Sequence, residues 1–292
     1  MNFLRRTLAP FAIAALVIGT AAVAQQTPPK PAPVPRPVVA EAPVPPPPDV
    51  DGKSWVLMDY ATGQVLAAKD PDVRVEPASI TKVMTDYVVS AEIANGKIHM
   101  NDQVTISENA WRSGGAGTDG STSFLKLNSQ VPLKDLLYGM IIQSGNDAAI
   151  ALAEHTAGSE EAFAALMNSY AARIGMKNSH FTNAHGLSDP NHYSTPRDLA
   201  LMGRAMIRDF PEAYAFNSIK EFTVGSITQH NRNGLLWREG SGVDGIKTGH
   251  TDNAGYCLLA SAKRGNQRFV SIVMGIDSKS QAEGFRLRET GN

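Results

Sequence analysis

Strand patterns lie at both ends of the globular sequence, and helical patterns fill the middle. Residues 54–60 and 65–68 form the first pair of strand patterns, and residues 256–262 and 268–274 form the last pair. If the first and last strands pair, they form one sheet with a helical subdomain inserted between them. The sequence therefore predicts an α/β chain of the α+β class, with a ligand cleft between the sheet and the helices.

Helical periodicity and turn residues divide the middle of the chain. A loop rich in glycine and serine is predicted at residues 111–122, and a further strand at residues 221–224. The predicted helices cover residues 79–94, 133–142, 147–157, 160–174 and 195–208.

Composition limits the classes of partner. The chain has 292 residues, 42% of them hydrophobic, which is enough to bury a core of one large or two modest domains. A formal net charge of -1 favours neither nucleic acid nor an anionic membrane surface, so no nucleic-acid partner is expected. The single cysteine, Cys257, excludes an intrachain disulfide and is predicted to pack as a small hydrophobic residue.

The two ends of the chain differ from its centre. Residues 1–24 have a basic start, an apolar run and a small-residue cleavage pattern, which together indicate a secretory signal peptide; an uncleaved anchor is the alternative. Residues 25–50 are rich in proline and are predicted to form an extended linker. The globular domain is predicted at residues 51–277, with its helical insertion at about 96–214 and an atypical tail at 278–292. We therefore expect a periplasmic or secreted protein, with association at the outer face of the cytoplasmic membrane left open.

Ser79 and Lys82 are the first candidates for chemistry. A serine hydroxyl needs an adjacent base to act as a nucleophile, and residues three apart on a helix share a face. Lys82 must be neutral part of the time, and burial together with a second cation lowers the pKa of a lysine. Lys247 is the candidate for that second charge. Taken alone, the pair fits a capped helix start with an exposed lysine better.

A second Ser-x-x-Lys spacing occurs at Ser123 and Lys126. Residues 121–127 resemble a strand edge, and on a strand these two side chains point to opposite faces. The sequence therefore predicts that only the helical pair, Ser79 and Lys82, can act together as nucleophile and base.

Two further motifs follow in the chain. Ser144 and Asn146 lie on a short loop between helical patterns, where a hydroxyl could relay a proton and an amide could bind a carbonyl and a lysine. A helix stop with an N-cap is the alternative. Lys247, Thr248 and Gly249 fit an edge strand, where they would supply charge, bind a carboxylate and let a substrate backbone approach.

Together the motifs resemble those of penicillin-binding proteins and serine β-lactamases. The similarity to low-molecular-mass penicillin-binding proteins, the D-alanyl-D-alanine carboxypeptidases, is closer and covers about residues 54–274. It rests on residues 77–85, 139–148, 183–187, 192–195, 231–237 and 243–251.

The resemblance implies a fold, a reaction and a set of roles. The fold is β-lactamase-like, with an antiparallel sheet flanked by helices and a helical subdomain. The reaction removes the terminal D-alanine from a peptidoglycan stem pentapeptide through an acyl-enzyme on Ser79, with Lys82 as base and Ser144 and Lys247 completing the proton path. The backbone N–H groups of Ser79 and His250 would form the oxyanion hole.

The resemblance also implies a binding mode and inhibitors. Thr248 and Arg232 would bind the terminal carboxylate, although Arg232 as a structural loop residue fits equally well. β-Lactams would act as inhibitors, and no cofactor is expected. His180, His185 and His192 are close in sequence but lack the spacing of metal ligands, so no metal site is expected.

Three alternatives share these motifs. A D,D-endopeptidase is poorly distinguished by sequence, and a catalytically impaired penicillin-binding protein fits the unusual C-terminus. A class A β-lactamase would carry a Glu-x-x-Leu-Asn motif after Ser144, and none follows; Glu160 and Glu161 lack that context. The family usually continues into a helix, a β-rich domain and a terminal amphipathic helix. Residues 276–292 match that continuation poorly, and Arg286 is only a loose counterpart of a family arginine in this region.

Overall fold

The computed structural model describes Pro47, residues 50–116, Thr118, residues 120–224 and residues 227–277. These residues belong to one compact unit that begins at Pro47. The predicted signal peptide at residues 1–24, most of the predicted linker at 25–50 and the tail at 278–292 with Arg286 lie outside the described residues.

A five-stranded antiparallel sheet is formed by the two ends of the described chain. The five strands are β1 (Ser54–Asp59), β2 (Val65–Lys69), β7 (Val243–Thr251), β8 (Gly255–Arg264) and β9 (Gln267–Ile276). Their order in the sheet is β2-β1-β9-β8-β7, so β7 lies at an edge. Ser54 in β1 pairs with Met274 in β9, as predicted for the first and last strands.

Two small hairpins accompany the main sheet. They are formed by β3 (Gln103–Thr105) with β4 (Gln130–Pro132) and by β5 (Glu221–Val224) with β6 (Ile227–His230). The strand predicted at residues 221–224 is therefore present, and it pairs within a separate hairpin. The strand predicted at 121–127 is wrong, because this segment forms an irregular loop.

The helices between β2 and β7 match most of the predicted positions. They are α1 (Thr81–Ala94), α2 (Glu108–Trp111), α3 (Leu133–Tyr138), α4 (Asn146–Ala157), α5 (Glu160–Ile174), α6 (Pro196–Asp209) and α7 (Pro211–Tyr214). In α6, Pro196 occupies the first turn, and the Thr195 side chain caps the helix by accepting the N–H of Asp198 at 3.2 Å. Within the described part of the chain, every helix is too short or too polar to cross a membrane.

Helix α1 is the centre of the molecule. It is buried along nearly its whole length and contacts α4, α5 and α6. Helix α6 in turn contacts β1, β8 and β9, so it lies between α1 and the sheet. Alternate side chains of β1, Val56 and Met58, are 1% exposed and belong to this core. The start of α1 is thereby held next to the sheet edge.

Asp86 is a buried carboxyl group one turn beyond Lys82. Its residue is 2% exposed, and burial raises its pKa from an ordinary 3.8 to about 7, although hydrogen bonds from Ser90 and Asn217 oppose the shift. Because the folded state binds the proton more tightly than the unfolded state, the contribution of Asp86 to stability falls as pH rises from about 4 to 7. At about 1.36 kcal/mol per unit, the change amounts to roughly 4 kcal/mol.

We therefore expect Asp86→Asn to gain stability relative to the parent protein as pH rises from 5 to 8. Denaturant unfolding at several pH values measures the difference, with Asp252→Asn, an exposed aspartate, as control. A difference between Asp86→Asn and the parent that does not change with pH would contradict a protonated Asp86.

Candidate active site

Ser79 lies in a single 3₁₀ turn, Ala78–Ile80, that leads directly into α1. A helix was predicted to begin at Ser79. Helical structure does begin there, but its first turn is 3₁₀ and the α-helix starts at Thr81. Ala78 has φ of 47°, a left-handed conformation that is unusual for a residue with a side chain. The turn is pressed against the edge strand β7, because a Cβ on Gly249 would lie 3.2 Å from the backbone nitrogen of Ser79. Ser79 and His250, the residue after Gly249, line the same cleft.

Lys82 is buried beneath Ser79 and contacts three oxygen atoms. Its Nζ lies 3.0 Å from Ser79 Oγ, 2.7 Å from Asn146 Oδ1 and 2.7 Å from the carbonyl oxygen of His185. The amide and carbonyl oxygens can only accept hydrogen bonds. A neutral amine has two N–H groups for these two acceptors, which leaves its lone pair directed at the Ser79 hydroxyl. The arrangement thus matches a lysine that takes the proton of Ser79.

The electrostatic environment favours the neutral form of Lys82. The residue is 1% exposed, so the interpretation of an exposed lysine at a helix start is wrong. Burial, then the charges of Lys247 and Arg232, holds the pKa of Lys82 well below its ordinary 10.5, while Asp147 opposes the shift. Lys247 is therefore the second positive charge near Lys82, as predicted from the sequence.

Lys247 and Ser144 form a second pair on the other side of the site. Lys247 Nζ donates to Ser144 Oγ at 2.9 Å and to the carbonyl oxygen of Thr248 at 3.0 Å. Burial and the charge of Arg232 lower the pKa of Lys247 to about 7. Ser144 has φ of 69° and follows a π-helical turn, Gly139–Gln143, that extends α3. Near neutral pH this pair can both give and accept a proton.

The cleft between β7 and the helical subdomain has a volume of about 550 Å³. Arg232 lies at its mouth, where its Nη1 donates to Ser121 Oγ at 2.7 Å. The His250 ring, which also lines the cleft, lies against Tyr256 with ring centroids 4.2 Å apart. All nine predicted site residues lie in or directly beneath this cleft: Ser79, Lys82, Ser144, Asn146, Arg232, Lys247, Thr248, Gly249 and His250.

The sequence profile of D-alanyl-D-alanine carboxypeptidases matches residues 40–278. The chain belongs to the D-alanyl-D-alanine carboxypeptidase family. The resemblance stated from the motifs is thereby confirmed.

Two curated relatives of this carboxypeptidase family illustrate the similarity. DacC of Escherichia coli is 48% identical over 251 residues, which cover 82% of this chain and 63% of DacC. DacA of Haemophilus influenzae is 52% identical over 245 residues, which cover 83% of this chain and 62% of DacA. The chain therefore spans less than two thirds of the length of these relatives.

Solved structures of penicillin-binding proteins share the fold. Penicillin-binding protein 5 of Haemophilus influenzae superposes with a TM-score of 0.78 at 49% identity, covering 84% of this chain and 72% of that chain. Penicillin-binding protein 6B of Escherichia coli gives 0.77 at 45% identity, covering 82% and 76%. The predicted β-lactamase-like fold is confirmed.

The loop at residues 183–187 contacts Lys82, and no sequence pattern indicated this contact. Its His185 carbonyl binds Lys82, while His185 Nδ1 accepts the N–H of Leu187 at 3.1 Å. The proton therefore resides on Nε2, which faces Glu160 Oε1 at 3.3 Å. Burial, together with the charge of Lys82, lowers the pKa of His185 to about 3, and burial raises the pKa of Glu160. The contact is a hydrogen bond from a neutral imidazole rather than an ion pair.

The Asp147 carboxylate organises the loop at residues 121–125, and no sequence pattern indicated this role. Its carboxylate accepts the Thr122 hydroxyl at 2.8 Å and the N–H groups of Ser123 and Leu125 at 2.8 and 3.1 Å. These bonds fold residues 121–125 over the start of α4. The loop then presents Ser121 to Arg232.

The second Ser-x-x-Lys pair lies on this loop rather than on a strand. Ser123 Oγ is buried without a hydrogen-bond partner, and Lys126 is exposed. The two side chains therefore do not act together, as predicted, but the reason is their difference in burial and not a strand geometry.

The three neighbouring histidines serve separate structural contacts. His192 Nδ1 accepts the Thr182 N–H at 3.0 Å and its Nε2 lies 2.8 Å from Thr81 Oγ1, whereas His180 Nδ1 contacts the Asn191 carbonyl at 2.7 Å. Across the part of the chain that the structure describes, no three histidine, cysteine or acidic residues are grouped to hold a metal ion.

Removing the charge of Arg232 is expected to shift the pH dependence of acylation. Arg232 lowers the pKa of both Lys82 and Lys247, so Arg232→Gln should raise both pKa values. The pH–rate profile for acylation by a penicillin should therefore move to higher pH, whatever the change in its maximum. Stopped-flow acylation between pH 5 and 10 measures the profile, with Arg238→Gln, an exposed arginine of the same segment, as control. A profile that keeps its midpoints or moves to lower pH would contradict this electrostatic role.

Proposed function

We propose that this protein is a serine-type D-alanyl-D-alanine carboxypeptidase that removes the terminal D-alanine from peptidoglycan stem pentapeptides. The observation that carries the proposal is the triple contact of Lys82 Nζ with Ser79, Asn146 and His185, which directs a neutral amine at the nucleophile. Membership of the family supports the same conclusion. We also propose that the protein works outside the cytoplasm, in association with the outer face of the cytoplasmic membrane, and that β-lactams inhibit it.

In the proposed acylation step, Ser79 Oγ attacks the carbonyl between the two D-alanines. Lys82 Nζ takes the hydroxyl proton as the O–C bond forms. The resulting oxyanion is bound by the N–H groups of Ser79 and His250, and a donor of this kind is commonly worth about 3 kcal/mol in the barrier. Thr248 and Arg232 hold the terminal carboxylate of the substrate.

Collapse of this intermediate requires a proton for the leaving amine. Ser144 Oγ supplies the proton and recovers one from Lys247 Nζ, to which it is hydrogen-bonded at 2.9 Å. At that stage Lys82 is charged and Lys247 is neutral. Attack of water on the acyl-enzyme reverses both transfers: a water proton returns to Lys247 through Ser144, and Lys82 reprotonates the departing Ser79. The cycle thus balances without any cofactor.

Among the described residues that line the cleft there is no glutamate that could activate water for fast β-lactam hydrolysis. Glu160, the nearest glutamate to Lys82 in the contacts described above, is engaged by the His185 ring and by the N–H of Ala184 at 3.1 Å. Its contacts place it behind the 183–187 loop rather than among the residues lining the cleft. We therefore propose that penicillin acylates Ser79 and is released slowly.

The test combines labelling with product release. Purified protein is treated with a fluorescent penicillin, and D-alanine release from a stem pentapeptide is measured, with Ser79→Ala alongside. The proposal expects labelling and release that both require Ser79. Rapid hydrolysis of a chromogenic cephalosporin would favour a β-lactamase, and cleavage of cross-linked dimers without release of D-alanine would favour an endopeptidase. Labelling with neither reaction would favour an impaired penicillin-binding protein.

A further inference from the structure

The orientation of the Lys82 amine depends on a loop carbonyl. This inference rests on the proposed function, in which neutral Lys82 takes the proton of Ser79. Of the two acceptors that Lys82 contacts, the Asn146 amide belongs to helix α4, whereas the His185 carbonyl belongs to a loop. Without that carbonyl the amine would keep one acceptor and could turn its lone pair away from Ser79 Oγ. The rate of acylation should therefore depend on whatever fixes the His185 carbonyl in place.

The loop at residues 183–187 is shaped by its own first side chain. Asn183 Oδ1 accepts the N–H groups of His185 and Gly186 at 3.3 and 2.6 Å, and Asn183 Nδ2 donates to the Leu187 carbonyl at 3.1 Å. These bonds make the loop a compact turn. All three lie within the loop, so the position of the turn as a whole depends on other contacts.

Glu160, the first residue of α5, attaches this turn to a helix. Its Oε1 accepts the N–H of Ala184 at 3.1 Å and faces His185 Nε2 at 3.3 Å. Because His185 Nδ1 accepts the Leu187 N–H, the imidazole proton resides on Nε2, and both groups donate to the same oxygen. One oxygen atom thus holds two consecutive residues, the second of which carries the carbonyl bound to Lys82.

The peptide groups of Ala184 are held from two helices. Its N–H donates to Glu160 on α5, and its carbonyl oxygen accepts the Thr85 hydroxyl on α1 at 2.6 Å. The side chains of Glu160 and His185 are 22% and 10% exposed, so water competes little for their contact. The residue next to the Lys82 acceptor is therefore fixed at both of its backbone polar groups.

We propose that Glu160 is a positioning residue for acylation, which fixes the His185 carbonyl and through it the lone pair of Lys82. The role requires reach rather than charge. Burial raises the pKa of Glu160, and Oε1 accepts both N–H groups whether or not Oε2 carries a proton. An uncharged acceptor of the same length would serve equally well. A shorter side chain would withdraw the oxygen by about 1.5 Å, the length of one carbon–carbon bond.

Glu160→Gln and Glu160→Asp separate reach from charge. Glutamine keeps the length and an accepting oxygen but loses the charge, whereas aspartate keeps the charge but loses the length. We expect acylation of Glu160→Gln by a penicillin within about threefold of the parent rate, and acylation of Glu160→Asp slower by about tenfold or more, because small displacements of a reacting group are costly.

The slowing should fall on the first-order rate constant of acylation, measured by stopped flow. The dissociation constant of the initial penicillin complex should not change, because the described residues that line the cleft do not include Glu160. A first-order constant does not depend on the fraction of protein that is folded, so a general loss of stability would not imitate this result.

Glu161 provides the matched control. It follows Glu160 in the first turn of α5 and is exposed, so Glu161→Asp should acylate at the parent rate. Repeating Glu160→Asp in a Lys82→Met background tests the path of the effect. If Glu160 acts through Lys82, the slowing should disappear once the base is absent.

Three results would overturn the positioning role. They are acylation of Glu160→Asp at the parent rate, equal slowing by Glu160→Asp with and without Lys82, and slowing of Glu160→Gln as large as that of Glu160→Asp. In each case the proposed function would stand, provided that Lys82→Met itself slows acylation. Failure of the proposed function would look different, because Lys82→Met would then acylate at the parent rate.

Discussion

Lys82→Met is expected to slow acylation of Ser79 by penicillin by roughly 10²- to 10⁴-fold, the usual contribution of a positioned general base. Methionine has a similar length and no proton acceptor of comparable strength, so the variant removes the base from a residue that is 1% exposed without burying a new charge. The acylation rate constant is measured with a fluorescent penicillin at saturating concentration. Thermal unfolding of the same sample shows whether the fold is kept.

The chain contains a matched control for this substitution. Lys126 has the same spacing from a serine, Ser123, but is exposed and belongs to the loop that Asp147 folds. Lys126→Met should therefore acylate at the rate of the parent protein. If Lys82→Met retained acylation within about tenfold, the base would have to be another group, and the proton path through Lys82 would be wrong.

Gly186→Ala is expected to destabilise the protein by more than about 3 kcal/mol, a loss well above that of an ordinary surface substitution. Two causes add. Gly186 has φ of 88°, which costs an alanine roughly 1–2 kcal/mol. In addition, a Cβ here would overlap the carbonyl oxygen of Ala78 and lie 2.8 Å from Thr81 Oγ1. Relief of this overlap must move the nucleophile turn or the 183–187 loop, so acylation should slow as well.

Gly175→Ala separates the two causes. Gly175 has φ of 90° at the end of α5, yet no atom lies within 4 Å of a Cβ built there. It should therefore show only the cost of the left-handed backbone and leave acylation unchanged. Denaturant unfolding of both variants, with acylation rates measured in parallel, gives the comparison. Equal losses of stability would show that the contact between Gly186 and the nucleophile turn is not tight.

The sheet and most helices could be predicted because their signals are local. The two terminal hairpins, the periodic helices and the Pro196 start of α6 are encoded within short windows of sequence. The pairing of β1 with β9 could be predicted because strands at the two ends of a domain must hydrogen-bond to each other to form one sheet. The roles of the nine site residues remain predictions for the experiments above, although the structure places all nine at one cleft.

The supporting contacts could not be predicted from sequence because they are formed across the fold. Asp147 resembled a helix N-cap, but its carboxylate binds the 122–125 segment. His185 resembled one of three loop histidines, and its role depends on a carbonyl that no sequence pattern marks. Residues 121–127 have strand-like alternation, yet Phe124 adopts φ of 59° because tertiary hydrogen bonds to Asp147 override local propensity.

The pairing of β1 with β9 also determines when the sheet can form during synthesis. During synthesis β1 and β2 emerge early, but the partner of β1 in the centre of the sheet is the last strand described. Until then the β1–β2 hairpin has an open edge, which is a site for wrong association. Lys247 and the β7 edge also appear late, so a chain arrested before β7 lacks part of the candidate site. A chain arrested before β9 would lack the strand that joins β1 to β8 and would be prone to aggregate, so the sheet cannot form until β9 has been made.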